Sequence, residues 1–213
     1  VDIGAGIGGQ TFAFAKKCKK VIAVEIDKKF AGTLINNLKK LKIENVKVII
    51  GDALNPEVIQ QIDSEIPDII FCDTERKPEG ERYLKYLQPD IKELLKKYSS
   101  ITKRIAIEVP PFTQDIDTQL KKEKPEKEFL SLNNKLNRLT LYFNELKKSE
   151  VAVVSLPEKE RINNGKTKKP KETKSALGFS YLYEINPAIV LAELVNELAV
   201  HIDSKLQLIN TSS

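Results

Sequence analysis

Apolar runs of strand length alternate with amphipathic stretches along the first half of the chain. Val21-Ile22-Ala23-Val24, Val46-Lys47-Val48-Ile49-Ile50, Asp68-Ile69-Ile70-Phe71-Cys72 and Arg104 to Val109 are mostly apolar without strict alternation, as parallel strands covered on both faces require. Between the first two of these, Phe30, Ala31, Leu34, Ile35, Leu38 and Leu41 recur at steps of one, three and four behind Asp27, a helix-capping residue. That stripe predicts a core-facing helix. Further helices are predicted over Gln10–Lys17, over Pro56–Ile62, where proline suits a first turn, and over Pro89–Tyr98. With Val1-Asp2-Ile3 as the end of an opening strand, five strands alternate with helices. The pattern predicts an α/β, doubly wound, Rossmann-like and mostly parallel sheet, with ligands at the carboxyl ends of its strands.

Past Val109 the pattern weakens. Pro110-Pro111-Phe112 leads into a lysine-rich stretch from Thr113 to Asn134, read as one short helix and a loop. Arg138–Phe143 and Val151–Leu156 have β character, and predict a hairpin that completes a seven-stranded sheet with an antiparallel last strand. Residues 157–176 carry seven basic against three acidic side chains and few apolar ones, which predicts a solvated basic loop. Order is expected to resume at Gly178–Tyr183 and in a helix capped by Asn186 and opened by Pro187, with Ile189, Val190, Leu194, Val195 and Leu198 on its apolar face. The expected organisation is a ligand-binding domain over 1–156, a linker over 157–176, and a C-terminal strand-helix segment over 177–213.

A chain of 213 residues buries a real core, and its length suits one domain plus an appendage. It begins inside a motif, without Met, so a longer protein extending upstream is expected. Cys18 and Cys72 have no CxxC spacing, which favours neither a disulfide framework nor a zinc site and fits a reducing, cytoplasmic setting. No apolar run approaches the roughly 20 residues that span a bilayer. His201, the single histidine, has no second imidazole to share a metal with. The net charge of +5 is concentrated in 157–176, where contact with phosphates and plain solvation are equally open.

The candidate chemistry begins at the first turn. Val1-Asp2-Ile3-Gly4-Ala5-Gly6-Ile7-Gly8-Gly9 satisfies two patterns at once: GxGxxG through Gly4, Gly6 and Gly9, and acidic-x-GxGxG through Asp2, Gly4, Gly6 and Gly8. The first belongs to dinucleotides, the second to S-adenosylmethionine (SAM). A carboxylate at Asp2 repels a pyrophosphate and attracts the ammonium and sulfonium of SAM. Glu25 follows Gly4 by 21 residues, where a carboxylate accepts ribose hydroxyls in either class of ligand. Asp52 and Ala53 suit an adenine edge, the carboxylate accepting from the exocyclic amine and the backbone N–H donating to the ring. Asp73, at the end of the fourth strand, is placed to hold an acceptor amine. Methyl transfer asks mainly for such alignment, with help in removing a proton. Arg76, Arg82 and Glu108 border the same rim.

Taken in order, Asp2-Ile3-Gly4-Ala5-Gly6-Ile7-Gly8, Glu25-Ile26-Asp27, Gly51-Asp52-Ala53 and Asp73 resemble the class I SAM-dependent methyltransferases over about residues 1–155. A narrower likeness is to the members with a C-terminal THUMP-like domain, carried by Asp73 with Arg76 and by Tyr183-Glu184-Ile185-Asn186-Pro187-Ala188-Ile189. The chain departs from that family in Asp73-Thr74-Glu75-Arg76, which lacks its proline, and in Val109-Pro110-Pro111-Phe112, which lacks its glycine. The resemblance implies SAM held by Asp2, Gly4, Ala5, Gly6, Gly8, Glu25, Ile26, Asp52 and Ala53, Asp73 as the catalytic residue, and RNA as substrate, with neither metal nor membrane as partner. A SAM-fold module that binds RNA or a protein without catalysis, and a nicotinamide-dependent oxidoreductase, are the alternatives.

Overall fold

The computed structural model describes residues 1–77, 81–165, 171–173, 181–203 and 206–209. Residue contacts divide the chain into two compact units, Val1–Pro125 with Leu141–Lys147, and Glu126–Thr140 with Lys148–Ser213.

The first unit opens with strand β1 (Asp2–Ile3), helix α1 (Gly9–Ala15), β2 (Val21–Glu25), α2 (Lys28–Lys40), β3 (Val46–Ile50), α3 (Pro56–Asp63) and β4 (Ile70–Asp73). After these come the short strands β5 (Glu75–Arg76) and β6 (Leu87–Gln88), then α4 (Ile91–Tyr98), β7 (Arg104–Val109) and α5 (Ile116–Gln119). Strand β1 pairs in parallel with β2 and β4, β2 with β3, and β4 with β7. The order β7-β4-β1-β2-β3 is the expected doubly wound sheet, and it reverses direction between β1 and β4, where such sheets open a ligand crevice. Every residue of β2 is buried, so its unbroken apolar run reflects cover on both faces. Ala5, Ala23, Leu34 and Leu38 pack with Phe12, Ile43, Val46 and Val48. Ile70, Cys72, Ile105 and Ile107, on β4 and β7, are fully buried.

Caps set the helix starts, and those of α2 and α4, Asp27 and Asp90, line the crevice. Asp27 accepts from the N–H groups of Lys29 (2.7 Å) and Phe30 (3.1 Å), Asn55 from Glu57 (2.8 Å), and Asp90 from Glu93 (2.8 Å), each satisfying donors that a first turn leaves unpaired. The stripe on α2 is only partly core. Ala31, Leu34 and Leu38 are buried, but Phe30 and Leu41 are more than half exposed, because they lie at the two ends of the helix.

The second unit corrects the expected hairpin. The stretch read as a loop contains strand β8 (Glu126–Leu132), which is followed by β9 (Lys135–Asn144), β10 (Val151–Leu156) and β11 (Glu160–Asn163). The hairpin is β8 with β9, joined by Asn133 and Asn134, both at positive φ (50° and 58°), as a two-residue turn between antiparallel strands prefers. β10 pairs in parallel with β8 and antiparallel with β11, so it is not the neighbour of β9. Thus β8 and β11 are strands that the seven-strand expectation lacks. β11 also lies within the stretch expected to be a solvated loop, of which 166–170 and 174–176 fall outside the described residues.

An ionic group fixes this unit. Glu126 is 1% exposed and accepts from Lys148 N–H (2.5 Å), Ser149 N–H (3.1 Å) and Ser149 Oγ (2.9 Å). Arg161 bonds both Glu126 and Glu128. Burial alone would raise the Glu126 carboxyl. The donors of Lys148, Ser149 and Arg161 outweigh it and hold the group below its ordinary value.

Farther on, β12 (Lys171–Thr173) pairs in parallel with β13 (Gln207–Ile209), and α6 (Pro187–Leu191) is followed by α7 (Val195–Ile202). The single helix expected there is broken at Glu193, whose φ is +58°. Of the expected ordered segment Gly178–Tyr183, residues 178–180 lie outside the described residues. Asn186 caps α6 through Ala188 N–H (2.9 Å), while its amide donates to the buried Ser131 hydroxyl on β8 (2.8 Å). Among the described residues no helix is long and apolar enough to cross a membrane.

Candidate active site

The turn from β1 to α1 needs glycine for two separate reasons. Gly4 has φ +77°, and a Cβ there would lie 2.5 Å from the Asp73 carbonyl oxygen. The first turn therefore rests directly against the end of β4. Gly8, the residue before α1, has φ +105°, and a Cβ would enter the Phe12 ring and Leu34. Both positions are closed to side chains by backbone conformation as well as by space.

Glu25 ties this turn to the end of β2. One of its carboxylate oxygens accepts the Gly6 N–H at 2.7 Å and the other the Asp27 N–H at 2.8 Å. A carboxylate has about four acceptor sites, so hydroxyls of a ligand can be met by the same group.

The crevice beside these residues has a volume of about 890 Å³ and is lined by Gly4, Gly6, Glu25, Ile26, Asp27, Phe30, Asp52, Ala53, Asp73 and Thr74, among others. Six carboxylates reach it, from Glu25, Asp27, Asp52, Asp73, Glu75 and Asp90, against two lysines, Lys77 and Lys85. Such a surface attracts cationic groups and opposes a pyrophosphate. Ala53 is fixed by the fully buried Tyr98, whose hydroxyl donates to the Ala53 carbonyl at 2.7 Å. Burial pushes the Tyr98 hydroxyl up from its ordinary value, so it stays a donor. Asp52 accepts the Leu54 N–H at 2.8 Å. Asp73 accepts from the Gln10 amide at 3.1 Å, linking the end of β4 to the first helix.

The structure thus gathers Gly4, Gly6, Glu25, Ile26, Asp52, Ala53 and Asp73 at one crevice and leaves Asp2, Ala5 and Gly8 off its lining. Asp2 is 1% exposed and lies beneath the turn, accepting the Thr11 hydroxyl at 2.5 Å. Burial raises its carboxyl, against the Thr11 hydrogen bond. Asp2 therefore does not face the crevice, whose lining carboxylates are those of Glu25, Asp27, Asp52, Asp73, Glu75 and Asp90. Phe30 was read as core, yet it is exposed at this crevice. Its signal was its place in the first turn after Asp27, beside the end of β2. Lys77 and Lys85 are lining residues that the sequence reading did not single out.

The rim beyond Asp73 is built from two segments. β5 pairs antiparallel with β6, and the Thr74 N–H (3.2 Å) and hydroxyl (2.7 Å) both donate to the Glu108 carbonyl on β7. The Arg82 guanidinium lies 5.0 Å from the centroid of the Phe112 ring.

A parallel sheet with this order, a glycine turn against β4 and an acid closing β2 make up a Rossmann-like nucleoside-binding fold, the fold of the class I methyltransferases. Among solved structures, a Porphyromonas gingivalis W83 protein described as a methyltransferase superposes with a TM-score of 0.70 at 18% identity, over 94% of this chain and 52% of its own. Residues 1–109 match the family model for ribosomal RNA adenine dimethylase, and the chain belongs to that family. The probable ribosomal RNA small subunit methyltransferase A of Methanosarcina acetivorans is 48% identical over 54 residues, 25% of this chain and 19% of that protein. The probable cobalt-precorrin-6B C(15)-methyltransferase (decarboxylating) of Methanococcus maripaludis is 43% identical over 53 residues, 25% of this chain and 29% of that protein. The chain therefore spans less than a third of the length of either relative.

Proposed function

We propose that this chain carries the cofactor-binding and catalytic part of a SAM-dependent methyltransferase that acts on RNA. The observation that carries this reading is the acid-lined crevice at the switch point, lined by a Glu25 carboxylate that is itself fixed by the Gly6 and Asp27 N–H groups. SAM supplies an electrophilic methyl group next to a cationic sulfur. Glu25 is assigned to the ribose hydroxyls, Asp52 and the Ala53 backbone to the adenine edge, and Ile26 and Phe30 to its apolar faces. Gly4 and Gly6 let the ligand approach the backbone. Asp2, Ala5 and Gly8 act from beneath the turn, Asp2 through Thr11, by fixing its shape.

Asp73 is assigned to the acceptor. Its carboxylate can take a hydrogen bond from an amine and so align a nitrogen lone pair for in-line attack. RNA as substrate is supported by the match to the ribosomal RNA adenine dimethylase model. The motif Asp73-Thr74-Glu75-Arg76 has neither proline nor an aromatic ring with which to clamp a planar base, so the acceptor is gripped by other parts of the rim.

The likeness to methyltransferases with a THUMP-like domain rests on the Tyr183–Ile189 motif, which includes Asn186. That residue caps α6 and bonds Ser131, so the motif has a structural task within the second unit. We assign the THUMP-like part to the segment 177–213 and the methyltransferase part to 1–156. Calorimetry with S-adenosylhomocysteine (SAH), SAM and NAD tests the cofactor. Binding of NAD as tight as that of SAH would sink the assignment.

A further inference from the structure

Charge in the crevice is segregated by element. The ends of β2, β3 and β4 bring Glu25, Asp27, Asp52 and Asp73, whereas both cations, Lys77 and Lys85, come from the segment between β5 and β6. Glu75 and Asp90 also line the crevice, yet among the described residues neither lysine forms an ion pair. The acids suit a cationic cofactor. The lysines call for an anion that this does not account for.

Lys85 sits on a built platform. It lies in the 3₁₀ turn Leu84–Tyr86, whose backbone is tied on two sides. The Leu84 N–H donates to Asp115 at 2.8 Å, and the Tyr86 carbonyl accepts from Lys77 N–H at 3.1 Å. Just before the turn, the Arg82 carbonyl accepts from Gln114 N–H at 2.9 Å. The Lys85 ammonium lies 4.8 Å from the Tyr86 ring centroid and 5.9 Å from that of Tyr83. Aromatic faces steady a cation without cancelling its charge, so the ammonium is held and still able to meet an oxyanion. The same segment carries Arg82 stacked on the half-exposed Phe112. A row of cations beside an aromatic face suits a single nucleic-acid strand.

We propose that Lys85, with Lys77 beside it, binds a backbone phosphate of the acceptor RNA and thereby sets where the strand enters the crevice. The proposal rests on the RNA-methyltransferase reading above. The other oxyanion within reach of such a site is the carboxylate of the cofactor, and the experiment separates the two. The full-length protein and its Lys85→Gln variant are compared in binding a fluorescently labelled single-stranded RNA across a salt series, and in calorimetry with SAH. The variant is expected to lose about fivefold in RNA affinity and about 0.7–1 in the slope of log affinity against log salt, the signature of one phosphate contact. Its SAH affinity is expected to stay within about twofold, and Lys85→Arg is expected to restore both RNA quantities. Weaker SAH binding with an unchanged RNA slope would overturn the proposal in favour of the cofactor carboxylate. Wild-type protein that methylates RNA, alongside a Lys85→Gln variant with unchanged KM and salt slope, would overturn this proposal alone. Wild-type protein that binds SAH but no RNA would overturn the RNA reading together with it.

Discussion

Replacing Glu25 by Gln changes one carboxylate oxygen into an amide nitrogen at the junction between the glycine turn and the proposed cofactor site. Both oxygens are in use, on Gly6 N–H at 2.7 Å and Asp27 N–H at 2.8 Å. In either orientation the new amide nitrogen therefore faces a donor. One hydrogen bond is lost and the other falls from charge-assisted to neutral, where bonds to charged groups contribute about 1.5–3 kcal/mol and neutral ones about 0.5–1.5. Ribose hydroxyls lose the same charged acceptor. The two bonds of the turn are lost with and without ligand and so lower stability, whereas the lost charged acceptor costs cofactor binding about 1.5–3 kcal/mol, roughly 10- to 150-fold in Kd. Isothermal titration with SAH reads that loss directly, and thermal melting without ligand shows whether the variant is folded. Glu25→Asp keeps the charge but withdraws it by one methylene, so an intermediate loss is expected. A folded Glu25→Gln protein that binds SAH within about threefold of wild type would refute the assignment of Glu25 to the cofactor.

Other substitutions probe the remaining parts of the site and the ionic group of the second unit. Gly4→Ala forces a left-handed residue, at about 1–2 kcal/mol, and drives its Cβ against the Asp73 carbonyl; SAH affinity should fall at least about tenfold, and unaltered affinity would remove the close contact from the account. Asp73→Ala should lower kcat by about 100-fold while leaving the SAH Kd within about threefold, whereas an unaffected kcat would end its assignment to the acceptor. Arg161→Ala should destabilise the protein by about 2–3 kcal/mol in denaturant unfolding. This is less than the ~3–5 kcal/mol of a wholly buried pair, since Arg161 is partly exposed and Glu126 keeps other donors. Because the folded Glu126 carboxyl lies below its ordinary value of 4.5, its contribution is fully present above that pH and is lost as pH falls through the folded value. Glu126→Gln should flatten the loss of stability on acidification in that window, and an unchanged profile would count against the group.

The parallel sheet was legible because β2, β3, β4 and β7 are mostly apolar without strict alternation, and the ligand end followed from Gly4, Gly6, Glu25, Asp52 and Asp73 falling at strand ends. Asp2 misled because sequence order puts it next to the turn but does not say on which side of the strand it points. Its burial and its bond to the Thr11 hydroxyl, in the first turn of α1, show that the carboxylate is directed inward. β8 was hidden for a related reason. Its buried positions include Glu126 and Ser131, so a search for alternating apolar residues finds polar ones, and the partner that makes Glu126 tolerable, Arg161, is 35 residues away. Asn133-Asn134 was the local signal that should have marked the hairpin. Lys85 gave no sign in the sequence, since its meaning depends on Tyr83, Tyr86 and the tie to Asp115.

The central claim is methyl transfer from SAM to RNA, and the most direct measurement is incubation of the full-length protein with methyl-labelled SAM and ribosomal RNA, followed by mass spectrometry of the nucleosides. The account predicts label in one methylated nucleoside, its loss with Glu25→Gln at limiting SAM, and its loss with Asp73→Ala even at saturating SAM. Firm SAM binding with no labelled nucleoside would contradict it and leave a module that binds the cofactor without using it.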